Sequence, residues 1–375
     1  MKESKRKICF VISSLSHGGA ERVTANLANY WAESDQYEIH IILIGTVSNA
    51  FYSIHKDVTI HSLNLLSESK NIAQAIINNL ARVLRLRRVI AGISPDGVIS
   101  FMFATNVLVI FSSFLMHWKL VISERNDPRN YKEGRKIWNT LRKLTYKYAD
   151  ALVVQNPPIL SLLRKFNNHS VIIPNPAIPP KADTYIEKKT DRKVVVAMGS
   201  LVEQKGFDTL LNAFSLAQKN IPNFYLKIIG EGTLKSKLED QTRKLGIQEL
   251  VRFLGLVQNP ANEFQTSDIF ILSSRYEGSP NALIEAMSFG LACISTDCPS
   301  GPADLIQDHS NGLLVPVDDS EAMASALINM ANSPELRHKC SLNALQISQK
   351  FELSRVAKMW ENLIFRDSEI KTRHL

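Results

Sequence analysis

The chain has 375 residues, 45% hydrophobic and 21% charged, a balance that excludes a disordered or fibrous polypeptide and allows two separately cored domains. Its formal net charge of +8 is uneven: residues 1–180 hold 22 Lys+Arg against 12 Asp+Glu, and the remainder 22 against 24. Cys9, Cys293, Cys298 and Cys340 form no CxxC pair and no metal-ligand spacing, which argues against a zinc site or a disulfide framework and predicts buried, reduced thiols in a cytosolic protein.

At the N-terminus, basic residues precede an apolar stretch as in a signal peptide. The stretch Ile8-Cys9-Phe10-Val11-Ile12 is short, strand-like and runs into Ser-Leu-Ser-His-Gly-Gly, so it predicts a first strand instead. Strands are predicted at 7–13, 39–44, 97–100, 120–123, 151–154 and 171–173, with helices at 20–32, 72–90, 135–148 and 158–166. The uncharged segment from Gly97 to Trp118 is nearly long enough for a bilayer, but Thr105, Asn106, Ser112 and Ser113 interrupt it. It predicts strand, turn and buried helix, and no spanning helix. The proline run from Pro174 to Pro180, followed by the charged 187–193, reads as a linker, because proline continues neither a helix nor a central strand.

Alternation then restarts. Strands are predicted at 194–198, 225–229, 251–253, 269–272 and 293–295, and helices at 207–218, 234–245, 281–289, 320–331 and 334–349. Such alternation means parallel sheets with helices on both faces. The expected architecture is α/β, with two doubly wound domains, 1–180 and 181–375, facing each other across a cleft.

Most of the chemistry follows predicted strands. Gly18 and Gly19, before a helix at Ala20, let backbone approach a ligand closely, although the pattern is not GxGxxG. Lys205, in the block Gly199-Ser200 to Asp208, stands near a helix start where it can neutralise a diphosphate. Gly230-Glu231-Gly232 is another strand-to-helix turn, and exposed backbone at Leu254 and Gly255 can pair with a nucleotide base. The most informative segment is Glu277-Gly278-Ser279-Pro280-Asn281-Ala282-Leu283-Ile284-Glu285. Ser279 suits an N-cap and Pro280 the first helical position, so free backbone N–H groups are expected to bind phosphate. Glu277 sits before the helix and Glu285 about one turn into it, so both can face the same bound molecule and accept hydrogen bonds from sugar hydroxyls. A diphosphate between two polyhydroxylated rings is a nucleotide sugar.

Together, in this order, these segments resemble the family 4 glycosyltransferases of GT-B fold along essentially the whole chain. The resemblance implies transfer of a hexose or N-acetylhexosamine from a nucleotide-diphosphate sugar, UDP-linked by family weight, with retention of configuration and without a bound metal or other cofactor. It implies that Glu277 contacts the transferred sugar, that Glu285 holds the ribose diol, and that Gly19 and the backbone of Gly278, Ser279, Pro280, Asn281 and Ala282 meet the diphosphate or sugar. Gly18, Ser200, Lys205, Gly230, Leu254 and Gly255 complete the expected donor site. The last helix can return to the N-terminal domain. Two departures stand out. Ser200 replaces a usual arginine, and Ser123-Glu124-Arg125-Asn126-Asp127 lacks the usual histidine, which leaves Glu124 and Arg125 as catalytic candidates beside Glu277 and Lys205, with His17 a further one.

The basic N-terminal half, with Arg82, Arg85, Arg87 and Arg88 on one helix, suits a lipid-linked polyprenyl-diphosphate glycan acceptor and peripheral contact with an anionic membrane surface. The expected setting is the inner face of a bacterial cytoplasmic membrane, in surface polysaccharide or lipopolysaccharide synthesis. The competing readings are an epimerase that hydrolyses the nucleotide sugar and a nucleic-acid-binding protein. The second lacks an aromatic-basic signature, a zinc pattern and a basic recognition helix, so no nucleic acid is expected.

Overall fold

The computed structural model describes residues 4–16, 18–47, 50–66, 70–125, 135–177, 193–299 and 301–365. It divides into two units, Met1–Pro176 with Leu353–Leu375, and Ala177–Glu352. The division falls inside the proline run.

In the first unit, seven strands form one parallel sheet in the order β3-β2-β1-β4-β5-β6-β7. They are β1 (Arg6–Ile12), β2 (Tyr37–Leu43), β3 (Val58–Ser62), β4 (Gly97–Phe101), β5 (Lys119–Ser123), β6 (Ala151–Val154) and β7 (Ser170–Ile172). β4 and β6 are buried throughout and β1 from Ile8 onward, as their apolar runs require when both faces are covered. On one face lie α2 (Ile72–Ile93), α3 (Phe103–Ser112), α4 (Arg135–Thr145) and α5 (Pro157–Leu163), which pack Leu86, Ile90, Val109 and Ile159 against Val11, Val98, Ile122 and Leu152. On the other lie α1 (Gly19–Ala32) and α13 (Leu353–Phe365). Trp360 of α13 is fully buried near Phe101, which stacks on Phe10 and, through it, on Trp31. Each such aromatic contributes roughly 3 kcal/mol of apolar burial. The segment 97–118 forms β4, a turn at Met102 and the buried helix α3, and among the described residues no helix is long and apolar enough to cross a membrane.

The second unit has a six-stranded parallel sheet in the order β10-β9-β8-β11-β12-β13. Its strands are β8 (Lys193–Met198), β9 (Phe224–Ile229), β10 (Val251–Gly255), β11 (Ile269–Leu272), β12 (Ala292–Thr296) and β13 (Leu313–Val315). Its helices are α6 (Phe207–Ala217), α7 (Lys235–Lys244), α8 (Ala261–Gln265), α9 (Asn281–Ser288), α10 (Pro302–Leu305), α11 (Ser320–Asn332) and α12 (Pro334–Ser348).

Five of these elements lie outside the predicted set. The strands β3 and β13 are sheet edges: β3 buries only Val58, so its apolar signal is weak, and β13 is mostly buried but only three residues long. The helices α8 and α10 are about one turn long. The helix α13, whose buried Val356, Ala357, Trp360 and Ile364 follow helical spacing, lies beyond the last predicted helix, 334–349. All four cysteines are buried and free.

Candidate active site

The second sheet reverses its strand order between β8 and β11, which pair through Ile269↔Val195 and Phe270↔Val196. Chains leaving two such strands diverge to opposite faces, so a crevice opens at their carboxyl ends. Lys205 follows β8, and Glu277 follows β11.

The two loops are stitched together before they reach that crevice. Beyond β8 the chain makes a 3-10 turn, Glu203–Lys205, closed by Gly206 at φ +61°. A Cβ at Gly206 would stand 2.1 Å from the Ser273 carbonyl oxygen, so only glycine lets the loops touch there. Ser273 Oγ donates to the Lys205 carbonyl at 2.8 Å, Arg275 N to the Gln204 carbonyl at 2.8 Å, and Gln204 Nε2 to the Tyr276 carbonyl at 2.9 Å. Held this way, Lys205 Nζ lies 2.6 Å from Glu277 Oε1, and Ser274 Oγ donates to the same oxygen at 2.6 Å. Glu277 is 4% exposed, and among the described residues no hydrogen bond reaches its Oε2. A charge-assisted pair of this kind fixes one carboxylate oxygen, and the second oxygen retains its capacity to accept.

The helix after this loop starts at Asn281, as its predicted span has it, but the cap lies one residue later than the Ser279 expected from residue type. Pro280, at φ −79° and ψ 73°, holds the N-cap position of α9 and supplies no side-chain cap. Ser279 is therefore not the cap; its carbonyl accepts from Asn281 N at 2.9 Å, while the Pro280 carbonyl accepts from Leu283 N. The reason lies in the next loop. Gly301, at φ +127°, lies so close to Pro280 that a Cβ would meet its Cδ at 2.7 Å, and the Pro299 carbonyl accepts from Glu277 N at 3.3 Å. The segment after β12 thus backs the whole turn. Gly278, Ser279, Asn281 and Ala282 are partly exposed along it, and Glu285, one turn into α9, is buried. Cys298 lies in the same loop with its thiol pushed up to about 12, first by burial and then by the charge of Glu277, so it is protonated at neutral pH.

The remaining donor-site candidates of this unit have other occupations. Gly230 N donates to the Gly255 carbonyl at 2.8 Å, and a Cβ on Gly230, at φ +145°, would meet the Gly199 carbonyl oxygen at 1.9 Å. These glycines let three strand ends pack tightly. Leu254 is half-buried, and Ser200 is exposed with its carbonyl accepting from Val202 N.

The other candidates belong to the first unit. Gly18, extended, is the N-cap of α1, where its carbonyl accepts from Arg22 N and from Tyr52 Oη, and Gly19 opens the helix in an exposed position. His17, Asn126 and Asp127 lie outside the described residues. Glu124 and Arg125 are neighbours with opposite surroundings. The Glu124 carboxylate takes Arg142 Nε at 3.0 Å, Arg142 Nη2 at 3.3 Å and Tyr146 Oη at 2.5 Å, and both ion-pair partners are almost fully buried. Burial pushes the Glu124 carboxyl up against the pull of Arg142 and Tyr146. Burial also opposes the Arg142 charge, but Glu124 outweighs it and holds the guanidinium above its usual value. This network is fully occupied by Arg142 and Tyr146, two residues of the segment after β5 that belong to no motif. Arg125 instead donates through Nη1 to Asn175 Oδ1 and lies 4.7 Å over the Phe101 ring, pulled down to about 9 by burial. Among the described residues its Nε and Nη2 meet no acceptor.

Two parallel-sheet α/β units, the second with a lysine–glutamate pair at its topological switch point, define a GT-B fold. The comparisons with known proteins agree and go further. Residues 181–346 match the family described as Glycosyl transferases group 1. Over 359 residues the chain is 31% identical to the Campylobacter jejuni GalNAc-alpha-(1->4)-GalNAc-alpha-(1->3)-diNAcBac-PP-undecaprenol alpha-1,4-N-acetyl-D-galactosaminyltransferase, spanning 96% of this chain and 98% of that one. A second enzyme of that organism, N-acetylgalactosamine-N,N'-diacetylbacillosaminyl-diphospho-undecaprenol 4-alpha-N-acetylgalactosaminyltransferase, is 26% identical over 94% of this chain and 98% of its own. Among solved structures, sucrose-phosphate synthase from Thermosynechococcus elongatus superposes with a TM-score of 0.81 at 17% identity, covering 98% of this chain and 100% of that one. Anabaena HepE in complex with UDP and glucose gives 0.77 at 17% identity, covering 95% and 98%. The chain belongs to the group 1 glycosyl transferases, and it is a glycosyltransferase.

Proposed function

We propose that this enzyme moves a hexose or N-acetylhexosamine from a UDP-linked donor to a glycan carried on a polyprenyl diphosphate, with retention of configuration and without a resident metal. The observation that carries the donor half is the Lys205–Glu277 pair at 2.6 Å beside the turn that opens α9. Negative charge develops on the departing diphosphate, and Lys205 together with backbone N–H groups of that turn is a preorganised set of donors for it. Glu277, held by Lys205 and Ser274, presents an acceptor to a hydroxyl of the transferred sugar. Glu285 takes the ribose diol. The proton of the attacking acceptor hydroxyl passes to the leaving diphosphate on the same face. The acceptor half rests on relatives named for undecaprenol-linked diphosphate glycans and on the basic first unit. Peripheral work at the inner face of a bacterial membrane follows from such an acceptor.

The experiment is a donor panel. Thermal shift with several nucleotide sugars should single out UDP-linked ones, followed by turnover on a polyprenyl-diphosphate glycan with the anomeric product assigned by NMR and chelator present. Release of free sugar and UDP without need of any acceptor would replace this reading with a hydrolase or epimerase. An inverted product, or loss of activity on chelation, would remove the corresponding part of it.

A further inference from the structure

One face of the first unit has a composition that the donor chemistry does not use. The helices α2, α3 and α4 lie side by side over the sheet, and large apolar side chains stand on their outward faces among cations and small or uncharged polar residues. Of the 17 large hydrophobic residues exposed among the described residues, ten lie between residues 76 and 148. Along α2, Ile76, Leu80 and Leu84 follow one another at four-residue intervals, each 58–63% exposed. Phe111 ends α3 at 48% exposed, and Leu144 near the end of α4 is 57% exposed.

The loop after α3 carries this furthest. Leu115 is 91% exposed, and it sits at φ +62°, a conformation that bulky L-residues rarely adopt. Beside it Phe114, half exposed, meets Tyr148 edge-on at 5.3 Å. The loop is fixed from behind, since Arg87 Nη1 donates to the Phe114 carbonyl at 2.7 Å and to the Ser112 carbonyl at 3.3 Å. An apolar tip held rigidly outward is a wedge.

Charge selects the partner. No Asp or Glu occurs between Glu68 and Asp96, between Asp96 and Glu124, or between Glu133 and Asp150, so these three helices carry none. Exposed Arg85, Arg88, Lys143 and Lys147 flank the apolar residues. A second copy of the chain would set this cationic row against itself in a two-fold pairing. A bilayer with anionic headgroups satisfies both features at once, with apolar and aromatic side chains entering the acyl boundary and cations at headgroup level.

We propose that the outward face of α2, α3 and α4, with the Phe114–Leu115 loop as its wedge, is the surface on which this protein docks to an anionic bilayer. This deepens the reading of a lipid-linked acceptor by naming the docking surface. The test uses the full chain and vesicles without glycan or nucleotide sugar, so its outcome stands apart from the identity of the acceptor. Sedimentation with phosphatidylcholine vesicles, with and without phosphatidylglycerol, should show binding to the anionic set alone, weakened by salt. Arg85→Glu with Arg88→Glu should cut partitioning at least ~20-fold, since each cation near such a surface is worth about fivefold. Leu84→Ser with Leu115→Ser should cut it about tenfold or more through lost apolar burial. Both pairs are exposed, so melting temperature and UDP affinity should stay at the parent values. Equal binding to neutral vesicles, binding unaltered by both variant pairs, or light scattering that reveals a dimer lost on Leu84→Ser with Leu115→Ser would each overturn the proposal.

Discussion

Each unit of this chain has an acid–base pair beyond the carboxyl end of a sheet strand, and the two pairs differ in what surrounds them. In the first, Glu124 and Arg142 are 1% and 2% exposed in their side chains, and Tyr146 closes the remaining approach. In the second, Glu277 is buried too, but Lys205 keeps 21% of its side chain open and, among the described residues, the side-chain donors engage a single carboxylate oxygen. A sealed pair satisfies every donor it meets, whereas a half-open one at a strand-order reversal keeps hydrogen-bonding capacity in reserve, as the proposed donor site requires. Both acids follow a sheet strand; the difference lies in how many donors the carboxylate has already satisfied.

Breaking the sealed pair should give the largest effect. Glu124→Ala leaves Arg142 charged and buried without its carboxylate, which costs about 3–5 kcal/mol in a site of this kind. Urea or thermal denaturation measures it. The double change Glu124→Leu with Arg142→Met should recover most of that loss, because no charge then remains to desolvate. If Glu124→Ala alone kept full stability, the network would not be structural.

Breaking the half-open pair should leave the fold intact and strike the reaction. Glu277→Gln keeps the shape of the loop and frees a lysine that already reaches solvent, so stability should change by no more than about 1 kcal/mol. Turnover should fall about 100-fold or more, the usual cost of losing one preorganised polar group at a reacting centre. UDP affinity should change little. Glu285→Ala sharpens the contrast from the other side. It should weaken UDP binding about tenfold, as loss of a charged hydrogen bond does, and reduce turnover at saturating donor less than Glu277→Gln does. Isothermal titration and steady-state rates on the same preparations separate the two.

Much of this was legible in the residues. Alternation of apolar runs with helical periodicity gives both parallel sheets, and the glutamate spacing with Lys205 marks the loops that meet at the switch point. What was hidden depends on side-chain direction or on contacts distant in sequence. Glu124 and Arg125 are adjacent, yet one turns towards α4 and the other stacks on Phe101, a divergence that no spacing rule resolves. The N-cap of α9 moved from Ser279 to Pro280 because Gly301, 21 residues further on, packs against the proline ring. Ser274 and Cys298 carry no motif of their own, and they enter the site only because β11 and β12 end side by side.

Cys298 offers the finest test of the half-open pair. Its thiol is pushed up to about 12 by burial and then by the negative charge of Glu277, while Lys205 pulls the other way. The signs therefore oppose one another. Glu277→Gln removes a charge that disfavours thiolate, so the pKa should fall and alkylation at a given mildly alkaline pH should speed up a few-fold. Lys205→Met removes a charge that favours thiolate, so alkylation should slow. In the parent protein the rate should climb with pH without levelling below about pH 11, because the thiolate fraction keeps rising until the folded pKa is reached. The rate is followed by mass spectrometry at Cys298, which separates it from the other three buried thiols. If both substitutions shifted the rate in the same direction, they would be acting by loosening the loop after β12, and the charges at the switch point would not be in contact with one another as described.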